Sequence, residues 1–247
     1  MKLLLTYMSH DYLIIITPVR SQHGYFDVSV MMLTRLSRLF MPSNKAGLMS
    51  GIKESEYSMI HVLETERLIL RQWLASDFAV FAEMNADAEV MRYFAQLLSP
   101  ALSDVIANKC QRLITDKGWG FWAVSRKGHS EQDDFIGMVG LNQAHADMPF
   151  APCVEIGWRL HKDYWGQGYA TEAARASLKF AVEVLELNEV VASTAVINKH
   201  SQIIMQRIGM TDTQEGFYHP MLDSEHPLAE HVLYKLTRQQ WRNTATT

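Results

Sequence analysis

The stretch Tyr164-Trp165-Gly166-Gln167-Gly168-Tyr169-Ala170-Thr171 places two glycines and an alanine in a short loop. The alternating apolar run Val154-Glu155-Ile156-Gly157-Trp158-Arg159-Leu160 precedes it and reads as a strand. The run Thr171-Glu172-Ala173-Ala174-Arg175-Ala176-Ser177-Leu178 follows and reads as a helix. A strand, a glycine-rich turn and a helix N-terminus make a preformed anion site, because backbone N–H groups converge where the helix dipole is positive. The chemistry this predicts is the cradling of a pyrophosphate. The same residues could also form a tight strand–helix turn with no ligand, so the companion motifs must decide.

The elements that would position this loop can be followed from Met59. Residues 67–71 read as a first strand, and Ser76-Asp77 reads as the cap of a helix carrying Phe78, Val80, Phe81 and Met84. Asp87 opens a short turn with Val90, Met91, Tyr93 and Phe94. Ser99-Pro100 starts a helix over about 101–117, which Gly118 ends. Strands are predicted at 119–124, 135–141 and 153–160, a three-stranded meander with a polar turn at Ser130 to Asp134. A helix over 171–186 buries Ala174, Leu178, Ala181, Val182 and Leu185. The strand at 189–196 should then lie parallel to 153–160, because a helix joins the two. A short helix over 199–208, closed by Gly209, and strands at 210–214 and 231–236 complete the chain.

The chain has 247 residues, 48% hydrophobic and 20% charged, which suits one globular domain with or without an extension. A net charge of −4 provides no polybasic footprint for nucleic acid. Two cysteines, Cys110 and Cys153, are too few for a disulfide framework, so a reduced cytoplasmic setting is expected. No apolar run reaches the roughly 18 residues of a membrane helix. The first 58 residues contain six methionines, have broken apolar runs and make a poor signal peptide. They carry 6 Lys+Arg and 4 Asp+Glu of the chain's 23 and 27, which leaves the remainder at −6. The working domain is therefore expected at 59–247, with 1–58 a disordered extension or the product of an upstream misreading of the start codon.

Five motifs in order carry a family resemblance over about residues 62–240. They are Glu64-Thr65-Glu66-Arg67-Leu68-Ile69-Leu70-Arg71, Val90-Met91-Arg92-Tyr93-Phe94, Glu155-Ile156-Gly157-Trp158, Trp165 through Ala173, and Asn198-Lys199-His200-Ser201 followed by Gly209-Met210. The sequence resembles the GNAT acyltransferases, and within them the RimJ/RimL-like branch of ribosomal-protein N-terminal acetyltransferases. The departure is Trp165, where the superfamily usually has Arg or Gln; the RimJ/RimL-like branch commonly has Trp there. The resemblance implies an α/β (α+β) GNAT acyl-CoA N-acyltransferase fold. Its mixed central sheet would splay between 153–160 and 189–196, with helices on both faces.

It also implies acetyl-CoA as cosubstrate. The pyrophosphate would lie on the amides of Gly166, Gly168, Tyr169 and Ala170, with the Thr171 hydroxyl adding a bond and Trp165 and Gln167 completing the loop. Pantetheine would lie between the splayed strands, on the main chain of Ile156 and Trp158. An N–H near Gly157 or Trp158 would serve the oxyanion. Glu155, a carboxylate in a central apolar strand, would be the base. It could instead orient the amine, or pair with Arg159 or Arg92. Asn198 would hold the CoA arm and also suits a helix cap. Ser201 would protonate the CoA thiolate, with an inert cap hydroxyl as its bland reading. Met205 occupies the position where many relatives have a tyrosine, so Tyr218 is the other donor considered.

The acceptor would be a primary amine, either a protein N-terminus or a small molecule, attacked directly in a ternary complex. Arg92, Tyr93, Tyr218 and His219 are weaker substrate-side candidates, with groove wall or rigid surface loop as their plain readings. The histidine spacing fits no zinc pattern, so no metal is expected. Many relatives pair, so a homodimer is expected by analogy, with neither nucleic acid nor membrane as a partner. A non-catalytic acyl-CoA sensor of the same fold is the alternative; it would need the loop but not Glu155 and Ser201.

Overall fold

A computed structural model describes the backbone of Leu5–Ser9, Tyr12–Arg20 and Phe26–Met32, and residues 59–128 and 134–244. The chain divides into two units, Met1–Glu54 and Ser55–Thr247. In the first, β1 (Leu5–Ser9), β2 (Tyr12–Arg20) and β3 (Phe26–Met32) form an antiparallel sheet in that order. Strands were not predicted here. The run Ile14-Ile15-Ile16 within β2 is β-branched rather than alternating, which favours extended backbone without a period-two signature. Most of the expectation for residues 1–58 falls outside the described residues, as does most of the turn predicted at Ser130 to Asp134.

The second unit opens with β4 (Leu63–Glu64) and β5 (Leu68–Arg71), then α1 (Asp77–Ala86) and α2 (Pro100–Lys117). Next come β6 (Phe121–Arg126), β7 (Phe135–Gln143) and β8 (Val154–Leu160), α3 (Tyr169–Glu183), β9 (Glu189–Ala195) and α4 (Lys199–Arg207). The chain finishes through β10 (Thr211–Asp212), β11 (Phe217–Tyr218), β12 (Glu230–Thr237) and α5 (Arg238–Thr244). The sheet runs β10-β12-β9-β8-β7-β6-β5-β4, with β11 on β12. Every neighbouring pair is antiparallel except β8 and β9. This is the mixed sheet expected from the strand–helix–strand crossover.

The helix signals act as their chemistry predicts, with one exception. Ser99 Oγ accepts from Leu102 N, Pro100 takes the first helical position, and Gly118 ends α2 at φ +81°. Ser76 makes no side-chain cap bond to α1. Asp77 turns inward instead, where its carboxylate accepts from Arg71 Nη1 at 2.7 Å and from Leu74 N at 2.8 Å. A buried carboxylate is better satisfied by a guanidinium and an amide than by water at a helix end.

Strand alternation assigns the two faces. Ile156, Trp158 and Leu160 point toward α3, where Ala173, Ala174, Leu178 and Ala181 are fully buried. The alanines let α3 lie close to the sheet, and burying Leu178 alone contributes about 1.5–3 kcal/mol. Glu155, Gly157 and Arg159 point to the opposite face, which α1 and α2 cover. Among the described residues, no helix is long and apolar enough to cross a membrane.

Candidate functional site

β8 and β9 form a parallel ladder at one register position, Glu155 opposite Val191. Beyond it the strands part. β7 covers one edge of β8 along its whole length, and β12 covers the far edge of β9. The edge of β8 from Ile156 onward and the facing edge of β9 are left without a strand partner. A sheet interior rarely exposes such edges, because unpaired N–H and C=O groups need partners. The expected splay is present, and it opens toward the C-terminal ends of both strands.

A one-turn 3-10 segment, Lys162–Tyr164, leads from β8 into the loop. Gly166 and Gly168 have φ of +73° and +83°, a region side-chain-bearing residues rarely adopt. A Cβ built on Gly166 meets nothing within 4 Å, and one on Gly168 meets Arg67 Nη2 at 3.5 Å. The loop is therefore open on its outer side. Gly168 is also the N-cap of α3 and makes no side-chain cap bond, so the helix starts at Tyr169, two residues before the predicted Thr171. The first-turn amides of Tyr169, Ala170 and Thr171 have no intrahelical acceptor by helix geometry. Trp165 donates from Nε1 to Leu160 O at 2.9 Å, pinning the loop to the end of β8. Gln167 Nε2 closes back on Asp163 O at 3.0 Å.

A second clamp comes from the start of the domain. Thr65 Oγ1 donates to Glu172 Oε1 at 2.6 Å, and Arg67 donates to the same carboxylate from its backbone N at 2.9 Å and from Nε at 2.7 Å. Arg67 Nη1 reaches Gln167 O at 3.0 Å, and its guanidinium stacks on Tyr169 at 4.5 Å. Burial works against the ionised Glu172 carboxylate, but the bonds from Thr65 and Arg67 outweigh it and hold the group below its ordinary range. In the sequence Thr65 and Arg67 stand within the first of the five motifs, and nothing local to them indicates a role. The only signal available was a charged motif at a strand start; its partner lies 105–107 residues away. We expect Arg67→Ala to weaken CoA binding about tenfold or less in calorimetry. Bonds to charged groups are worth about 1.5 kcal/mol or more, and solvent screens this one in part.

Beside the clamp runs a groove of about 860 Å³, lined by Gly168 and Thr171 of the loop, by the cations Arg67, Arg175, Lys179 and Arg207, and by the carboxylates of Glu64, Glu66 and Glu172. Glu172 is already paired with Arg67, which leaves Arg175, Lys179 and Arg207 against Glu64 and Glu66, a slight positive excess beside the helix N-terminus.

Inside the splay, Glu155 is half-buried and accepts from Asn142 Nδ2 at 3.3 Å. Burial raises its carboxyl above the usual value; the Asn142 bond and the His145 and Lys109 charges oppose that rise. Neither arginine considered as its partner fills that place. Arg159 donates to Asn85 Oδ1, while Arg92 stacks on Tyr93 and lies 3.4 Å from His200 Nδ1. Asn142 was missed because the predicted strand stopped at Leu141, and β7 continues to Gln143.

Asn198 caps α4, its Oδ1 accepting from Ser201 N at 3.3 Å. Its Nδ2 donates to Thr194 Oγ1 at 2.9 Å and to Ser201 Oγ at 3.0 Å. The Oδ1 bond gives Asn198 the cap role considered for it, and both of its amide hydrogens are in use. Ser201 Oγ acts as acceptor in that bond, so its own hydrogen stays free to donate.

Arg92 lies 5.8 Å from the Trp165 ring, which brings the segment after α1 against the loop and α4. Tyr93 carries one face of that guanidinium. His219 and His231 rings lie 4.9 Å apart, and burial, then the neighbouring histidines, lower the His219 pKa. Tyr218 is largely exposed. Among the described residues, no three His, Cys, Asp or Glu side chains are placed to hold a metal.

Comparison with known proteins matches residues 67–211 to the acetyltransferase (GNAT) domain. The uncharacterized N-acetyltransferase YnaD of Bacillus subtilis is 24% identical over 72% of this chain and 98% of its own length. The FsC-acetyl coenzyme A-N(2)-transacetylase of Aspergillus fumigatus is 39% identical over 89 residues, 35% of this chain; the match spans 37% of that protein. Among solved structures, an acetyltransferase from Bacillus anthracis superposes with a TM-score of 0.60 at 22% identity, covering 72% of this chain and 99% of that one.

Proposed function

This chain belongs to the GNAT acetyltransferase family, and from that premise we propose that it transfers the acetyl group of acetyl-CoA to a primary amine. The observation that carries the proposal is the parting of β8 from β9 directly after Glu155, above a glycine loop that ends on the N-terminus of α3. The residues fit the cosubstrate: the left-handed loop is open outward, the first amides of α3 are free of intrahelical acceptors, and cations outnumber carboxylates in the adjoining groove. Gly168, Tyr169, Ala170 and Thr171 hold the pyrophosphate, and the unpaired edge of β8 at Ile156 and Trp158 receives the pantetheine amides. Acetyl-CoA, once bound, would supply the activated thioester, and CoA thiolate is its leaving group.

Glu155 accepts the proton that the amine loses as its nitrogen attacks the thioester carbon. Its raised pKa brings the base nearer to neutrality, where proton transfer is most effective. An N–H of β8 near Gly157 takes the developing oxyanion. As the carbon–sulfur bond breaks, the free hydroxyl hydrogen of Ser201 serves the departing thiolate. The five motifs resemble those of the RimJ/RimL-like branch, and that resemblance supports a protein N-terminus or a small amine as the acceptor.

The test is release of free thiol from acetyl-CoA with a panel of peptides and small amines. Amine-dependent release is the expected result. Tight CoA binding with no turnover across the panel would replace the transfer reading with that of a CoA sensor.

A further inference from the structure

Two other arginines of the domain sit against carboxylates. Arg71 meets Asp77 at 2.7 and 3.0 Å, and Arg126 meets Asp134 at 2.6 and 2.8 Å. Arg159 is held differently. Its guanidinium stacks on Phe94 at 4.0 Å and lies 5.8 Å from the Phe81 ring, and Nη1 donates to the neutral amide of Asn85. Ser103 Oγ accepts from Asn85 Nδ2 at 2.6 Å, which fixes the amide with its oxygen toward the arginine. No carboxylate among the described residues pairs with Arg159, and its Nε is buried without a partner. Burial pushes its pKa down to about 10, yet an arginine still keeps its proton near neutrality. The fold therefore half-buries a cation that Asn85 holds on one side and that meets no carboxylate among the described residues on the other.

Its place on β8 says what that anion belongs to. Residues 155, 157 and 159 share one face of the strand. Glu155 and Arg159 are about 13 Å apart along β8 at roughly 3.3 Å per residue. Between them Gly157 presents no side chain, and Phe121 lies 3.1 Å from where a Cβ would be. The Phe121 ring covers Gly157, so the strip has an apolar floor with a carboxylate at one end and a guanidinium at the other, which matches a molecule carrying an amine and an anion joined by an apolar spacer. The domain's net charge, read from the sequence, is negative. The overall field therefore does not attract an acidic acceptor, and a discrete guanidinium would be the selecting element.

We infer that Arg159 receives a carboxylate of the acetyl acceptor, through the Nη2 end of its fork, since Nε is sealed and Nη1 is held by Asn85, so that the acceptor is a primary amine that also bears a carboxylate. This rests on the reading that the amine meets Glu155. Arg159 then sets specificity and takes no part in proton transfer.

The experiment uses the full chain, acetyl-CoA and matched acceptors, each as free acid and as carboxamide: glycine, β-alanine and 6-aminohexanoate. C-terminally amidated tripeptides beginning with Asp or Glu are set beside those beginning with Asn or Gln, which separates a free amino acid from a side-chain carboxylate. The acid of at least one pair is expected to show a kcat/KM tenfold or more above its amide. Arg159→Gln should erase that preference, chiefly through KM. Arg159→Lys should restore part of it, and CoA affinity should be the same in all three proteins. Melting in the presence of CoA gives a readout that needs no turnover: the preferred acid raises the midpoint of the parent protein and leaves that of Arg159→Gln unmoved. Equal handling of acid and amide in every pair, or a loss in Arg159→Gln that falls equally on both, overturns the inference. An Arg159-dependent melting shift without turnover upholds the carboxylate site and removes the transfer reading; neither shift nor turnover removes both.

Discussion

A Gly168→Val protein is expected to fold and to lose CoA binding by a factor of about 100 or more. The residue sits at φ +83°, where an L side chain costs about 1–2 kcal/mol and a β-branched one is least tolerated. A Cβ there meets Arg67 Nη2 at 3.5 Å, an ordinary contact, so the unliganded protein has room for it. The melting midpoint should fall by about 2–8 °C for a domain of this size. The methyl groups would stand among the amides that begin α3, and they would either exclude a phosphate or turn the loop's N–H groups away. Calorimetric titration with CoA decides the matter. Retained affinity would mean that the phosphates lie elsewhere. Gly166→Ala supplies the graded comparison, since its Cβ enters open space and its cost is conformational alone.

Replacing Glu155 by Gln should lower kcat by about 100-fold, within the 10²–10⁴ range for removing a positioned base. The pH profile gives the sharper readout. Burial raises the folded-state pKa of Glu155 above its ordinary value of 4.5. Activity that needs the ionised form should rise with pH through that raised pKa, and Glu155→Gln should lose this limb. The stability linkage runs the other way. A carboxyl whose folded pKa is raised binds its proton more tightly in the folded state. It therefore favours folding below 4.5, and this contribution is lost as pH rises from 4.5 through the raised value. At neutral pH the Gln protein should melt at or above the parent, which separates lost chemistry from lost structure. An unchanged pH profile would remove Glu155 as the base.

Much of this site could be read along the chain. The glycine loop, the helix it caps and the neighbouring parallel strands follow from local spacing, and all three occur in the structure. The structure departs from the local pattern where burial and strand pairing choose a residue's partner. Ser76-Asp77 looked like a cap, but Asp77 is drawn inward by Arg71. The predicted end of β7 excluded Asn142, because apolar alternation stops before the strand does. Glu155 had two plausible arginine partners nearby, yet its bond goes to an amide across the sheet.

Sequence alone determined the loop and the direction of its helix, since left-handed glycines, a helix start and a period-two strand are short-range properties of the backbone. Only the tertiary structure decided which groups meet. Arg67 grips Glu172 across 105 residues, β8 leaves β9 after one pair, and Arg159 is half-buried with no carboxylate against it among the described residues. Those outcomes depend on register and on which face of the sheet each side chain takes. A strand's own sequence does not specify what its neighbour will present to it.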